Sequence, residues 1–173
     1  MSSIVLKCFY ILLCFLGIFQ TSFADSNNPF KAIDIKNPKE VKQFYTELQD
    51  EIRNSDIIGI DKKIAYPLAA KIGRKRIVVN NISELRLNYN IIFNNDVKSA
   101  ILCQDYSELA AQSHGVMVGR GTLWFSLVFL KDKSEYNEEI HDDPDNRELW
   151  GLRITKINYG EITKQFLDEC KNK

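Results

Sequence analysis

Few residue types in this 173-residue chain could do chemistry, and they are scattered. His114 is one of only two histidines and lies between two β-prone segments. A neutral imidazole there has the acidity range of a general base, yet a single His before Gly is also ordinary turn composition. Ser113 beside it makes no triad, because a nucleophile and its base must meet in space with a third, orienting group. Asp105, Glu108 and Asp132 adjoin turns, where carboxylates are solvated. Glu138, Glu139, His141, Asp142, Asp143, Asp145 and Glu148 crowd one stretch. Such oxygens suit a divalent cation, but the spacing is not that of an EF-hand, and Pro144 among charges reads as a solvated connection. No metal site is therefore expected.

Two further groups bear on binding. Lys71, Arg74, Lys75 and Arg76 surround a turn. They either protect a sheet edge with charge or form a docking patch for an acidic partner. Gly115, Gly119 and Gly121 have the wrong spacing for a dinucleotide fingerprint, and a strand follows where a helix N-terminus would have to hold the phosphates. No cofactor is expected.

The elements that must position these residues follow from periodicity. Asn37-Pro38-Lys39-Glu40 opens a first helix, with Val41, Phe44, Tyr45, Leu48 and Ile52 as its apolar stripe. Ser55 is expected to cap a second helix that runs to Ile64 and ends before Pro67. A hairpin turns at Gly73-Arg74-Lys75. Ser83 is expected to cap a third helix, stapled by Ile82 and Leu87, with a re-capped continuation after Asn94-Asn95-Asp96. From Tyr106 the period is that of strands: 106–112, a long run at 115–130 bent at its glycines, and a last strand at 149–159. A polar loop at 131–147 precedes that last strand, and Ile162, Phe166 and Leu167 mark an amphipathic tail. Helices first and strands afterwards give an α+β fold.

Location and class come from composition. Positive and negative residues balance at 23 each, and 45% of the chain is apolar, so this is an ordinary globular chain without the basic excess of a dedicated nucleic-acid binder. Residues 8–19 are an unbroken apolar run after a single Lys, and Ser22-Phe23-Ala24 places small residues before Asp25. This pattern reads as an export signal over residues 1–24, too short to span a bilayer, with no membrane association once it is cleaved. Residues 25–36 read as a flexible leader and 37–173 as one domain. Cys103 and Cys170 remain after cleavage. They could pair, closing a loop worth about 4 kcal/mol, or remain as a buried thiol and a solvated one.

The element order brings a resemblance with it. Tyr66-Pro67-Leu68 opens the hairpin, Ser83-Glu84-Leu85 the third helix, and Gly115-Val116-Met117-Val118-Gly119-Arg120-Gly121 runs into Leu123-Trp124-Phe125. Over residues 38–160 this resembles the cone-shaped NTF2-like (cystatin-like, SnoaL-like) superfamily, and within it the small exported bacterial members. The resemblance implies N-terminal helices packed on a strongly bent antiparallel sheet, with a pocket in the concavity. It implies a lining of Tyr45, Tyr66, Tyr89, Phe93, His114, Met117, Trp124 and Arg153. The superfamily holds enzymes and binding proteins alike, and the carboxylate base and hydrogen-bond donors of its isomerases have no counterpart here residue by residue. The expected function is thus an exported, non-catalytic binding or accessory domain, taking a small apolar ligand or an envelope protein. A protein-binding inhibitor or immunity-type factor, and an isomerase- or dehydratase-type pocket enzyme, are the alternatives. A homodimer is compatible with any of them.

Overall fold

The computed structural model describes residues 28–131 and 148–171. The expected export signal and most of the acidic stretch, from Glu138 through Asp145, lie outside these residues. The part of the expected flexible leader that is described, from Asn28 on, is packed instead. Phe30 and Ile35 are 1% and 0% exposed. Asn28 Nδ2 donates to the Ile35 carbonyl at 2.7 Å, closing a short loop around a 3-10 turn at Lys31–Ile33. Phe30 and Ile35, with Ile33 packed partly against the core, gain enough by burial to order the segment.

Helix α1 (Pro38–Asn54) starts as its residues dictate: the Asn37 side chain accepts from Lys39 N, and Pro38 occupies the first position. Its buried stripe is Val41, Phe44, Tyr45, Leu48 and Ile52. Ser55 terminates α1 in the left-handed region, and Asp56 caps α2 (Ile57–Lys62), its carboxylate accepting from Ile58 N and Gly59 N. The expected Ser55 cap is thus shifted by one residue, because the carboxylate is the stronger acceptor. Strand β1 (Ile64–Ile72) begins well before the expected break at Pro67 and contains it. Its pairing is interrupted between Ile64 and Ala69, around the residue that lacks an N–H.

The chain turns at Gly73, whose φ of +62° suits glycine, into β2 (Lys75–Val79). Helix α3 (Ile82–Ile92) is capped by Asn81, not Ser83: Asn81 Oδ1 accepts from Glu84 N while Glu84 reaches back to Asn80 N. This register leaves Leu87 83% exposed, so the expected staple to Ile82 does not form. Asn94 caps α4 (Asn95–Cys103). A 3-10 turn at Tyr106–Glu108 and a short β3 (Ala110–Gln112) replace the single strand expected there. The long β-rich run is a hairpin, β4 (Gly115–Val118) against β5 (Leu123–Phe129). Gly119, Arg120 and Gly121, all at positive φ, reverse the chain. Strand β6 (Trp150–Tyr159) and α5 (Glu161–Cys170) complete the α+β fold.

The six strands form one sheet in the order β2-β1-β6-β5-β4-β3. It is mixed where an antiparallel sheet was expected, because β1 and β6 run parallel. The chain leaves β1 through β2 and the helices, builds β3 to β5 from the far edge, and returns as β6 between its two halves. A bulge at Thr155 of β6, opposite Trp124 and Phe125 of β5, shifts the register and bends the sheet. The helices cover one face, onto which Leu68, Ala70, Val79, Val116, Val118, Leu123, Phe125, Ile154 and Ile157 are buried. Phe44 of α1 meets Phe125 of β5 with ring centroids 4.7 Å apart.

Candidate functional site

Side chains alternate across a strand, so burying Leu123 and Phe125 beneath the helices sends Trp124 to the opposite face. Strand register extends that face. Met117 pairs with Trp124, Trp124 with Lys156, Lys156 with Ala69, and Ala69 with Val78. One residue row thus crosses five strands. Alongside it, Ser126 pairs with Arg153, and Lys71 with Arg76 and Asn158. Trp124 is half-buried, and its indole donates to the Gly121 carbonyl at 3.1 Å, which fixes the ring. His114 meets it edge-on with centroids 6.0 Å apart. Val78 is 45% exposed and Lys71, Arg76 and Lys156 are exposed.

Charge on this face is one-sided. None of the six strands contains Asp or Glu, whereas they carry Lys71, Lys75, Arg76, Arg153 and Lys156. Among the described residues, none of Lys71, Arg76, Arg153 and Lys156 pairs with a carboxylate. Arg153 is half-buried, and that burial pulls its guanidinium below its usual range. The platform therefore combines a fixed indole, a thioether, an imidazole and unneutralised cations.

The eight residues expected to line one hollow are divided instead. Tyr45, Tyr89 and Phe93 belong to the core between helices and sheet. Tyr45 is 1% exposed, and its hydroxyl donates to the carbonyls of Ile101 and Gln104, at 2.7 and 3.0 Å. Burial raises its pKa, so the phenol stays protonated. Tyr89 stacks on Phe93 at 5.3 Å. Tyr66 lies on β1 and donates to Asp61 at 2.7 Å, and its burial, with that carboxylate, raises its pKa. His114, Met117, Trp124 and Arg153 belong to the open face. The reason is parity: large side chains recur on both faces of β4, β5 and β6, and pooling them by size mixes the two.

The remaining candidates are quickly placed. Cys103 and Cys170 are disulfide-bonded, with Cα atoms 6.1 Å apart, joining the ends of α4 and α5. An open cleft of about 450 Å³ lies beside the bond, lined by Asp96, Ser99, Leu167 and Lys171. Asp105 and Glu108 flank the 3-10 turn at Tyr106–Glu108, and Asp132 is outside the described residues. Among the described residues no group of His, Cys, Asp and Glu is arranged to hold a metal ion. No described helix is long and apolar enough to cross a membrane.

Sequence reasoning missed Lys156, Ser126 and Val78 as parts of the platform. The available signal was the lack of any acid from Ile64 to Val79 and from Gly115 to Leu130. No protein family, curated protein or solved structure matches the chain.

Proposed function

We propose that the chain is an exported, non-catalytic accessory domain that binds another protein through the open face of its sheet. One observation carries this reading: the row Met117, Trp124, Lys156, with Arg153 beside it and His114 in the adjoining β3–β4 turn, is held on paired strands and left partly or fully exposed. Trp, Met and Arg are the side chains enriched where proteins bind one another, and an anchored Trp loses little freedom on binding. Export is supported by the signal-like N-terminus and by the Cys103–Cys170 bond, which belongs to an oxidising compartment. The burial of Tyr45, Tyr89 and Phe93 within the core weighs against the small-ligand form of the expectation.

Native mass spectrometry of protein isolated from its host tests the reading. The expected species contains a second, different polypeptide, which is lost from the Trp124→Ala variant. A retained mass of a few hundred daltons without a second polypeptide, unaffected by that substitution, would restore the hollow as the working site.

A further inference from the structure

We infer that the partner of the open sheet face is an acidic segment of a different protein, and that Lys71, Arg76, Arg153 and Lys156 recognise its carboxylates around a Trp124 anchor. The inference deepens the proposed function and rests on it. Charge complementarity selects the occupant. The face presents cations on β1, β2 and β6 and no carboxylate on any strand. A two-fold dimer through this face would bring the same cations against one another, with no strand acid to neutralise them, at a cost that like-charge contacts impose. A carboxylate-bearing segment meets them with opposite sign.

The geometry fits an extended acidic segment rather than a point ligand. The register sets Arg76 and Lys71 side by side at one end, then Lys156, then Trp124, with Arg153 beyond the bend next to Ser126. The cations therefore step from Arg76 on β2 to Lys71 on β1, strands about 5 Å apart, and then to Lys156 and Arg153 along β6, with the indole on β5 beside Lys156. Arg153 is the partly desolvated member, and a guanidinium there engages a carboxylate by two parallel hydrogen bonds. Among the described residues no carboxylate pairs with these four cations, so none of them cancels the one-sided field of the sheet.

The test uses the full chain after signal removal and a fluorescent peptide of alternating Glu and Tyr, followed by anisotropy. The expected result is binding that weakens roughly tenfold between about 50 and 300 mM salt, because the Debye length shortens over that range. Lys71→Glu with Arg76→Glu, and separately Arg153→Glu with Lys156→Glu, abolish it, while Lys164→Glu on α5 leaves it intact. Circular dichroism and unfolding midpoints verify that each variant folds. Binding of a thymidine oligonucleotide of equal charge as tightly as the peptide would overturn the inference in favour of a general polyanion site. A homodimer disrupted by Trp124→Ala would overturn it in favour of a second copy. No peptide binding, while the Trp124-dependent host complex persists, would overturn the acidic partner and spare the proposed function. Peptide binding indifferent to both double variants would overturn the inference, by showing that these cations do not recognise the carboxylates.

Discussion

The helix layer and the open face of the sheet handle charge in opposite ways. Around the helices, cations and acids are interspersed, and several of them pair: Arg53 with Asp50, Lys63 with Glu47 and Glu51, Lys171 with Asp168, and Arg120 of the β4–β5 turn with Glu169 of α5. On the sheet, Lys71, Arg76, Arg153 and Lys156 have no such partners among the described residues. Exposed ion pairs contribute at most about 1 kcal/mol, so neither pattern decides whether the chain folds. The difference lies in what each surface is ready to meet. A surface of paired charges is neutral toward its surroundings; a surface of one sign keeps its field for something else.

Two adjacent residues break the comparison most sharply. Phe125 packs on Phe44 beneath the helices, and Trp124 lies on the open face. Phe125→Ala is expected to cost about 3–5 kcal/mol, read as a lowered urea midpoint, because it leaves a cavity in the core. Trp124→Ala is expected to cost about 1 kcal/mol or less while removing partner binding. Equal losses of stability would mean that the indole packs as core. Next in size, Cys103→Ser with Cys170→Ser frees the end of α5 from α4 and is expected to cost about 2–4 kcal/mol, while leaving binding at the sheet face unchanged.

How far these regions were legible before the coordinates follows from local chemistry. Asn37 and Pro38 announce α1 because a side-chain acceptor and a residue without an N–H suit only that position. The hairpin at Gly73 was legible for the same reason: glycine supplies the positive φ. Caps with several polar residues in a row were not. Ser55 and Asp56, or Asn81 and Ser83, each offer an acceptor, and the choice falls to the residue left at the boundary: Ser55 already ends α1 in the left-handed region, and Ser83 lies inside the first turn of α3. The parallel pairing of β1 with β6 depends on residues more than eighty positions apart, and no periodicity carries it. The platform stayed hidden because Val116, Met117, Leu123 and Trp124 are all large and apolar, so alternation shows no polar face.

The helix side is expected to respond to pH through Lys63. Its ammonium is largely buried between Glu47 and Glu51, both at 2.9 Å. Burial pulls its pKa down, but the two carboxylate hydrogen bonds outweigh that and raise it. The stability it contributes is present below the ordinary lysine range and is lost as pH rises through its elevated folded value. Glu47 moves the other way: the hydrogen bond from Lys63 lowers its pKa. Its contribution is present above the unfolded carboxylate value of about 4.3 and is lost as pH falls through the lower folded one. Lys63→Met, which leaves Glu51 half-buried without its cation, is expected to cost about 1–2 kcal/mol at neutral pH. Denaturation midpoints across pH should flatten at both extremes in that variant; an unchanged profile would show that the pair is electrostatically idle.

The smallest expected effect separates the two regions most cleanly. Lys71→Glu with Arg76→Glu reverses two exposed charges that face each other across β1 and β2. Neither has a carboxylate partner among the described residues to lose. The pair repels before the change and after it, so the cross-strand term keeps its sign and folding stability is expected to stay within about 0.5 kcal/mol. The sheet face, however, gains acid at one end of the proposed path, and the partner contact is where the change must appear. If the variant instead unfolds at a markedly lower denaturant concentration, those cations serve the fold, as the paired ones on the helix side do, and the contrast between the two surfaces disappears.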